Sequence, residues 1–171
     1  ERRTVTVHAL DSGEVFEESY DKLVLSPGAR PVVPNLPGIH GERIYTLRNV
    51  EDTLRIRHFV EENQPQSAVV IGGGFIGLEM AENLVGLGVD VTLVEKMEQV
   101  LSPFDADMAS FVHARFKAAG VHLMLGRAVT GFEQTEDGVK TLLDAGEPLE
   151  SQLVLLAIGV APDASLAKDA G

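Results

Sequence analysis

Cysteine is absent from the sequence, and so is tryptophan. The first absence excludes disulfides, thiolate metal sites and thiol catalysis within these residues. Basic charge is scarce: 14 Lys+Arg stand against 26 Asp+Glu, a net charge of -12, with no basic cluster. Nucleic-acid binding rests on lysine and arginine replacing counterions, so it is not expected here. A small anionic ligand stays open if its attraction is local. No apolar run approaches the roughly 20 residues needed to cross a bilayer, so no membrane partner is expected. Glu1-Arg2-Arg3 leads into alternating strand residues rather than the apolar core of a signal peptide. A cytoplasmic protein is expected. The histidines His8, His40, His58, His113 and His122 are scattered without an H-E-x-x-H pair. Asp105 and Asp107 have an electrostatic reason to sit in a first helical turn. No metal site is expected.

What is present is an ordinary apolar content of 44%, enough for a packed core. Thr4 to Leu10 alternates polar and apolar residues, Asp11-Ser12-Gly13 is turn chemistry, and Val15-Phe16 opens a return strand. With the short apolar run Lys22 to Leu25, these predict a small antiparallel meander. Pro31 to Gly41 is rich in proline and glycine and reads as a linker at a domain boundary. Asn49 to Asn63 has a helical pattern, with Asn49 as N-cap and Glu51 and Asp52 in the first turn. Ala68 to Ile71 reads as a strand, Phe75 to Leu87 as a helix and Val89 to Val94 as a strand. That alternation is a βαβ unit, which implies a parallel sheet. Ser102 is the expected cap of a further helix carrying Met108, Phe111, Val112, Phe116 and Ala119 at helical spacing. Met80 and Met108 are expected in the core. Val121 to Leu125 follows as a strand, and Asp137-Gly138 joins a hairpin of Ala128 to Glu133 with Val139 to Leu143. Leu153 to Ile158 is a last apolar strand ending at Gly159.

The stretch VVIGGGFIGLEMAENLVGLGVDVTLVEK, Val69 to Lys96, carries the chemistry. Gly72-Gly73-Gly74-Phe75-Ile76-Gly77 satisfies G-x-G-x-x-G, follows an apolar strand and opens a helix. The first glycine allows a tight turn, Gly74 lets a pyrophosphate approach the backbone, and Gly77 permits close helix–strand packing. Unpaired N–H groups at the helix start and the helix dipole favour an anion. Glu95 lies about twenty residues further on, where an acid accepts hydrogen bonds from the adenosine ribose. It repels a 2′-phosphate, so NAD(H) is expected over NADP(H), although neighbouring Lys96 offsets part of that repulsion.

VVIGGGFIGLEMAENL, YDKLVLSPGARP and AIGVAPD together resemble the FAD-dependent pyridine nucleotide-disulfide oxidoreductases. SPFDADMASFVHARFKAAGVHLMLG is most similar to their coenzyme A-disulfide reductase, NADH oxidase and persulfide reductase branch. The resemblance implies an α/β fold: a Rossmann-like parallel sheet with helices and an antiparallel meander, plus a short meander from a flanking FAD domain. It implies that residues 1–34 end the first FAD stretch, 35–160 form the NAD(H)-binding domain, and 161–171 begin the return to the FAD domain. A chain that starts at Glu1 and stops at AKDAG is then expected to be a piece of a longer protein, with its redox cysteine upstream. By the same resemblance Phe75 gates the nicotinamide pocket, with core packing as the alternative. Glu79 lies near the flavin–nicotinamide junction, or is simply an exposed helix acid. Gly159 lines the nicotinamide side, or ends its strand. Gly28, in SPGA, belongs to a turn close to FAD.

The expected function is the NAD(H)-binding portion of a flavoprotein that passes hydride from NADH to FAD, and then to a disulfide, a persulfide or oxygen. No residue here is expected to act as catalytic acid, base or nucleophile, and the 171 residues alone are expected to be inactive. The expected partners are the dinucleotide, the protein's own FAD and dimerisation domains, and a second copy in a homodimer. Two alternatives stand: a ferredoxin or rubredoxin reductase-type flavoprotein, or a non-catalytic dinucleotide sensor or interaction module.

Overall fold

The computed structural model describes residues 2–171, and Glu1 lies outside them. The chain divides into two compact units, one of residues up to Gly28 together with Pro162–Gly171, the other Ala29–Ala161.

In the smaller unit, β1 (Thr4–His8) and β2 (Val15–Ser19) pair antiparallel, with Thr4 opposite Ser19 and His8 opposite Val15. The Asp11-Ser12-Gly13 turn closes them, the Gly13 N–H donating to the Ala9 carbonyl. The run Lys22 to Leu25 forms no strand, and its apolar side chains are exposed. These residues find no third partner strand within the unit. A short helix, labelled α4 (Ser165–Asp169), lies near the end of the chain.

The larger unit opens with β3 (Ala29–Pro31) and β4 (Ile44–Thr46). Helix α1 (Val50–Asn63) follows, then β5 (Ser67–Ile71), α2 (Phe75–Gly86), β6 (Asp90–Glu95), α3 (Ala106–Ala118) and β7 (His122–Leu125). After them come β8 (Val129–Gln134), β9 (Val139–Leu143), β10 (Leu149–Ser151), β11 (Leu153–Leu156) and β12 (Val160–Pro162), whose last residue is counted with the smaller unit. A five-stranded parallel sheet has the order β4-β11-β5-β6-β7, and a three-stranded antiparallel sheet the order β10-β9-β8. Strands β3 and β12 pair with each other.

The parallel strands read as unbroken apolar runs because both their faces are covered. Successive side chains point to opposite sides. Ala68, Val70, Val91, Leu93, Leu153 and Leu155 share one core with Ile56 of α1 and Leu78, Ala81 and Leu84 of α2. The alternate residues Val69, Ile71, Val94, Val154 and Leu156 share a second core with Phe132 and Val139 of the antiparallel sheet. Helices therefore cover one face and the hairpin sheet the other.

Local chemistry explains the start of one helix. Asn49 caps α1, its Oδ1 accepting the Asp52 N–H at 2.9 Å. Helix α3 departs from expectation. It begins at Ala106 after Asp105, without a side-chain cap. Leu101 is left-handed at φ 49°, its N–H donates to the Gly73 carbonyl at 2.8 Å, and Phe104 N–H closes a separate turn on the Leu101 carbonyl. That long-range bond takes Ser102 out of the helix.

Met108 also differs from the expected core: it is 54% exposed, and Phe111 of the same helical pattern is 71% exposed, because Ala109, Val112 and Phe116 form the face that α3 turns inward. The Pro31–Gly41 stretch is not a loose connector either. Ile39 is buried and Leu36 packs beside it in the second core, and the Pro37 carbonyl accepts the Phe132 N–H.

Candidate functional site

Strands of a parallel sheet all present their C-terminal ends at one edge, and the connections leaving them form a crevice there. In this chain Ile71, Val94, Glu95 and Leu156 bring three adjacent strand ends, β5, β6 and β11, to a cleft of about 700 Å³. Pro34, Leu36, Val129 and Ile158 add apolar wall. The size lies within the range of small-molecule sites.

The glycine turn forms the floor. Gly72 has φ +110°, and a Cβ there would collide with the Ala157 carbonyl of the neighbouring strand end. A Cβ at Gly77 would fall on the Gly72 carbonyl oxygen, so helix α2 meets the strand it follows at backbone distance. Gly74 differs: its φ of -79° suits any residue, and nothing lies within 4 Å of where its Cβ would be. It is the N-cap of α2 and supplies no side-chain cap, so the helix start is not closed off by its own side chain. Open space at a helix N-terminus fits a ligand phosphate drawn close to the backbone.

Glu95 is fixed in place. Its Oε2 accepts the Gly73 N–H at 2.6 Å and its Oε1 accepts the Met97 N–H at 2.7 Å. The Gly73 amide is thereby committed to a carboxylate and is not among the donors offered to a ligand. Glu95 also lines the cleft, and a carboxylate has lone pairs beyond the two these amides use. Lys96 follows it, exposed.

The cleft gathers Gly72, Gly74, Phe75, Ile76, Glu95, Lys96 and Gly159. Gly73 and Gly77 are buried behind it and shape the turn. Phe75 is 62% exposed and meets the Phe104 ring edge-on, with centroids 6.3 Å apart, so core packing does not account for it. Gly159 has φ +120°, and its carbonyl accepts the Val32 N–H. Glu79 is exposed in the second turn of α2 and does not line the cleft. Gly28 belongs to the smaller unit, with φ +76°.

Met97, Ser102, Arg127, Ala128 and Val129 also line the cleft, although none of them stands out in the sequence as a site residue. A signal for Arg127 existed: it lies two residues past the apolar strand that ends at Leu125, and parallel-strand ends are where ligands bind. His58 Nε2 lies 3.1 Å from Glu62 and His122 Nε2 3.4 Å from Asp90, both exposed contacts that do not line the cleft.

The profile of the pyridine nucleotide-disulphide oxidoreductase family matches residues 1–171. Among curated relatives, the NADH-dependent phenylglyoxylate dehydrogenase subunit epsilon of Aromatoleum evansii is 41% identical over 145 residues, covering 84% of this chain and 34% of its own. A crystal structure of reduced Bacillus anthracis CoADR-RHD superposes with a TM-score of 0.91 at 45% identity, over 99% of this chain and 30% of that one. The water-forming NADH oxidase from Lactobacillus brevis bound to NADH superposes with a TM-score of 0.87 at 35% identity, over 98% of this chain and 37% of that one. The chain thus spans about a third of the length of such relatives. A glycine turn at the C-terminal edge of a parallel sheet, a backed carboxylate on the next strand and a family match along the whole sequence lead to one conclusion: the chain belongs to the pyridine nucleotide-disulphide oxidoreductase family.

Proposed function

We propose that the larger unit binds NAD(H) in the cleft above Gly72–Gly77 and serves as the pyridine-nucleotide arm of an FAD-dependent oxidoreductase. One observation carries this: Gly74 holds an unobstructed approach to the start of α2, with the Glu95 carboxylate anchored beside it by two amides. The α2 N-terminus and its dipole attract the diphosphate, and the fixed carboxylate accepts the adenosine ribose hydroxyls. The Lactobacillus brevis enzyme, described as bound to NADH, supports the assignment through its similarity over the same residues.

When both are bound, the nicotinamide and flavin supply the hydride chemistry, and this chain's residues bind and orient. Phe75, exposed beside Phe104, screens the nicotinamide end. Gly159 allows the ring close approach from the opposite wall. Glu79 sits toward the flavin junction, and the smaller unit, with Gly28, contributes to the FAD domain. The whole enzyme is proposed to be a cytoplasmic homodimer that delivers electrons to a disulfide, a persulfide or oxygen.

Titration with NADH, followed by coenzyme fluorescence, tests the assignment. Gly74→Val is expected to fold, since a Cβ at this position meets nothing, with a loss of about 1 kcal/mol for the poorer N-cap, and to weaken NADH binding by at least about tenfold by occupying the phosphate path. A variant that binds NADH as tightly as the parent removes the glycine turn from the site.

A further inference from the structure

We propose that Met97 is a peroxide-sensitive modification site: its oxidation to methionine sulfoxide weakens dinucleotide binding in the cleft, and a bound dinucleotide shields it. This rests on the dinucleotide assignment made above. The chain has no cysteine and no tryptophan, so its readily oxidised side chains are four methionines. Met80 packs beside the first core and Met124 beside the second. Met97 and Met108 are each 54% exposed. Of the four, Met97 alone lines the cleft.

Backbone bonds on both sides hold Met97 at that wall. Its N–H donates to Glu95 Oε1 at 2.7 Å, and its carbonyl accepts the Gly126 N–H at 2.9 Å. Arg127, next in sequence to Gly126, donates its own N–H to the Glu95 carbonyl at 3.0 Å. The methionine thioether is apolar and adaptable, and it suits a wall shared with Pro34, Leu36 and Val129. Hydrogen peroxide oxidises it by transfer of one oxygen atom. The sulfur lone pair attacks that oxygen, an S–O bond forms and the O–O bond breaks. The departing hydroxide collects the proton left on the transferred oxygen and becomes water. Sulfur gives up two electrons, and the peroxide takes them. The sulfoxide that results is polar, accepts hydrogen bonds and donates none.

A new acceptor is poorly served at this wall. Three carboxylates already stand near it: Glu95, Glu98 beside Gly126, and Asp144, which accepts the Ala128 N–H at 3.2 Å. Two cations, Lys96 and Arg127, line it. The sulfoxide oxygen either stays unpaired against the ligand or draws one of these cations away from it. Each course weakens binding.

The test treats the full chain with hydrogen peroxide, free or saturated with NADH, and reads each methionine by peptide mass. Peroxide is then removed with catalase, and NADH is titrated into the parent, Met97→Leu and Met108→Leu. Each is compared with its own untreated sample, and circular dichroism verifies folding. Met97 and Met108 are expected to gain oxygen at least about fivefold faster than Met80 and Met124. Bound NADH should slow the reaction at Met97 by about fivefold or more and at Met108 by less than about twofold. After oxidation the parent and Met108→Leu should bind NADH about tenfold more weakly, and Met97→Leu should lose less than about twofold. Methionine sulfoxide reductase should restore the parent. An unoxidised Met97, an affinity unmoved by its oxidation, an equal loss in Met97→Leu, a loss the reductase does not reverse, or no shielding by NADH overturns the proposal and leaves the dinucleotide assignment standing. An untreated parent that does not bind NADH removes both.

Discussion

Thr141 is fully buried on β9, and among the described residues its hydroxyl has no hydrogen-bond partner. A hydroxyl taken from water without compensation costs about 1–3 kcal/mol. Thr141→Val removes that group while keeping the branched shape. It is expected to raise the unfolding free energy by about 1 kcal/mol, read from the urea midpoint. A lower midpoint would reveal a partner for the hydroxyl. The opposite economy operates at Glu95, where two backbone amides satisfy a charged group in advance of any ligand. At this scale the chemistry of some residues was legible and that of others was not. Asn49 capped its helix as its type and position suggested, because the bond is made three residues away. Ser102 did not cap, because the neighbouring Leu101 amide reaches Gly73, far away in sequence.

At the scale of elements, the segment between β6 and α3 matters most, since Met97 and Ser102 wall the cleft. The bonds that tie it to the rest of the fold include Glu95 to the Met97 amide, the Leu101 N–H to the Gly73 carbonyl, the Gly126 N–H to the Met97 carbonyl, and the Val100 N–H to His113 Nε2 at 3.1 Å. Burial keeps the His113 imidazole below its usual pKa, and the charge of Lys117 pushes the same way. Neutral imidazole accepts from Val100; the protonated ring has no lone pair to offer. The folded state therefore disfavours the proton relative to the unfolded chain. The stabilisation is full above about pH 6.5, the unfolded value, and is lost as pH falls toward the lowered folded value. Thermal unfolding should show stability declining through that window in the parent. His113→Gln, which retains an acceptor, should flatten the dependence there. An unchanged pH profile in this variant would mean that another group titrates.

At the scale of the molecule, the two units differ in how much of their apolar surface is covered. The larger unit buries two cores on either face of its parallel sheet. In the smaller unit Leu10 and Val24 stand 95% and 84% exposed, and all of β2 is exposed. A two-stranded hairpin with so little burial is marginal in water. Hydrogen exchange on the chain should therefore find the β1 and β2 amides exchanging faster than those of β5, β6 and β11 by about a hundredfold or more. Equal protection in both units would show that the hairpin is stabilised by contacts beyond its own pairing. Among the described residues no helix is long and apolar enough to cross a membrane.

The amino-acid order alone was enough for the β5-α2-β6 unit, its glycine turn, the cap of α1 and the hairpin of β8 and β9. Those features depend on neighbours a few residues apart and on apolar periodicity, which a linear chain displays directly. It was also enough to put Glu95 at a strand end. Tertiary structure decided the rest. It set β11 between β4 and β5, drew the proline-rich stretch into the second core, turned Met108 and Phe111 outward, and brought Arg127 against Glu95. Each of those outcomes depends on hydrogen bonds or burial between residues distant in sequence, and such partners are chosen only when the whole sheet assembles.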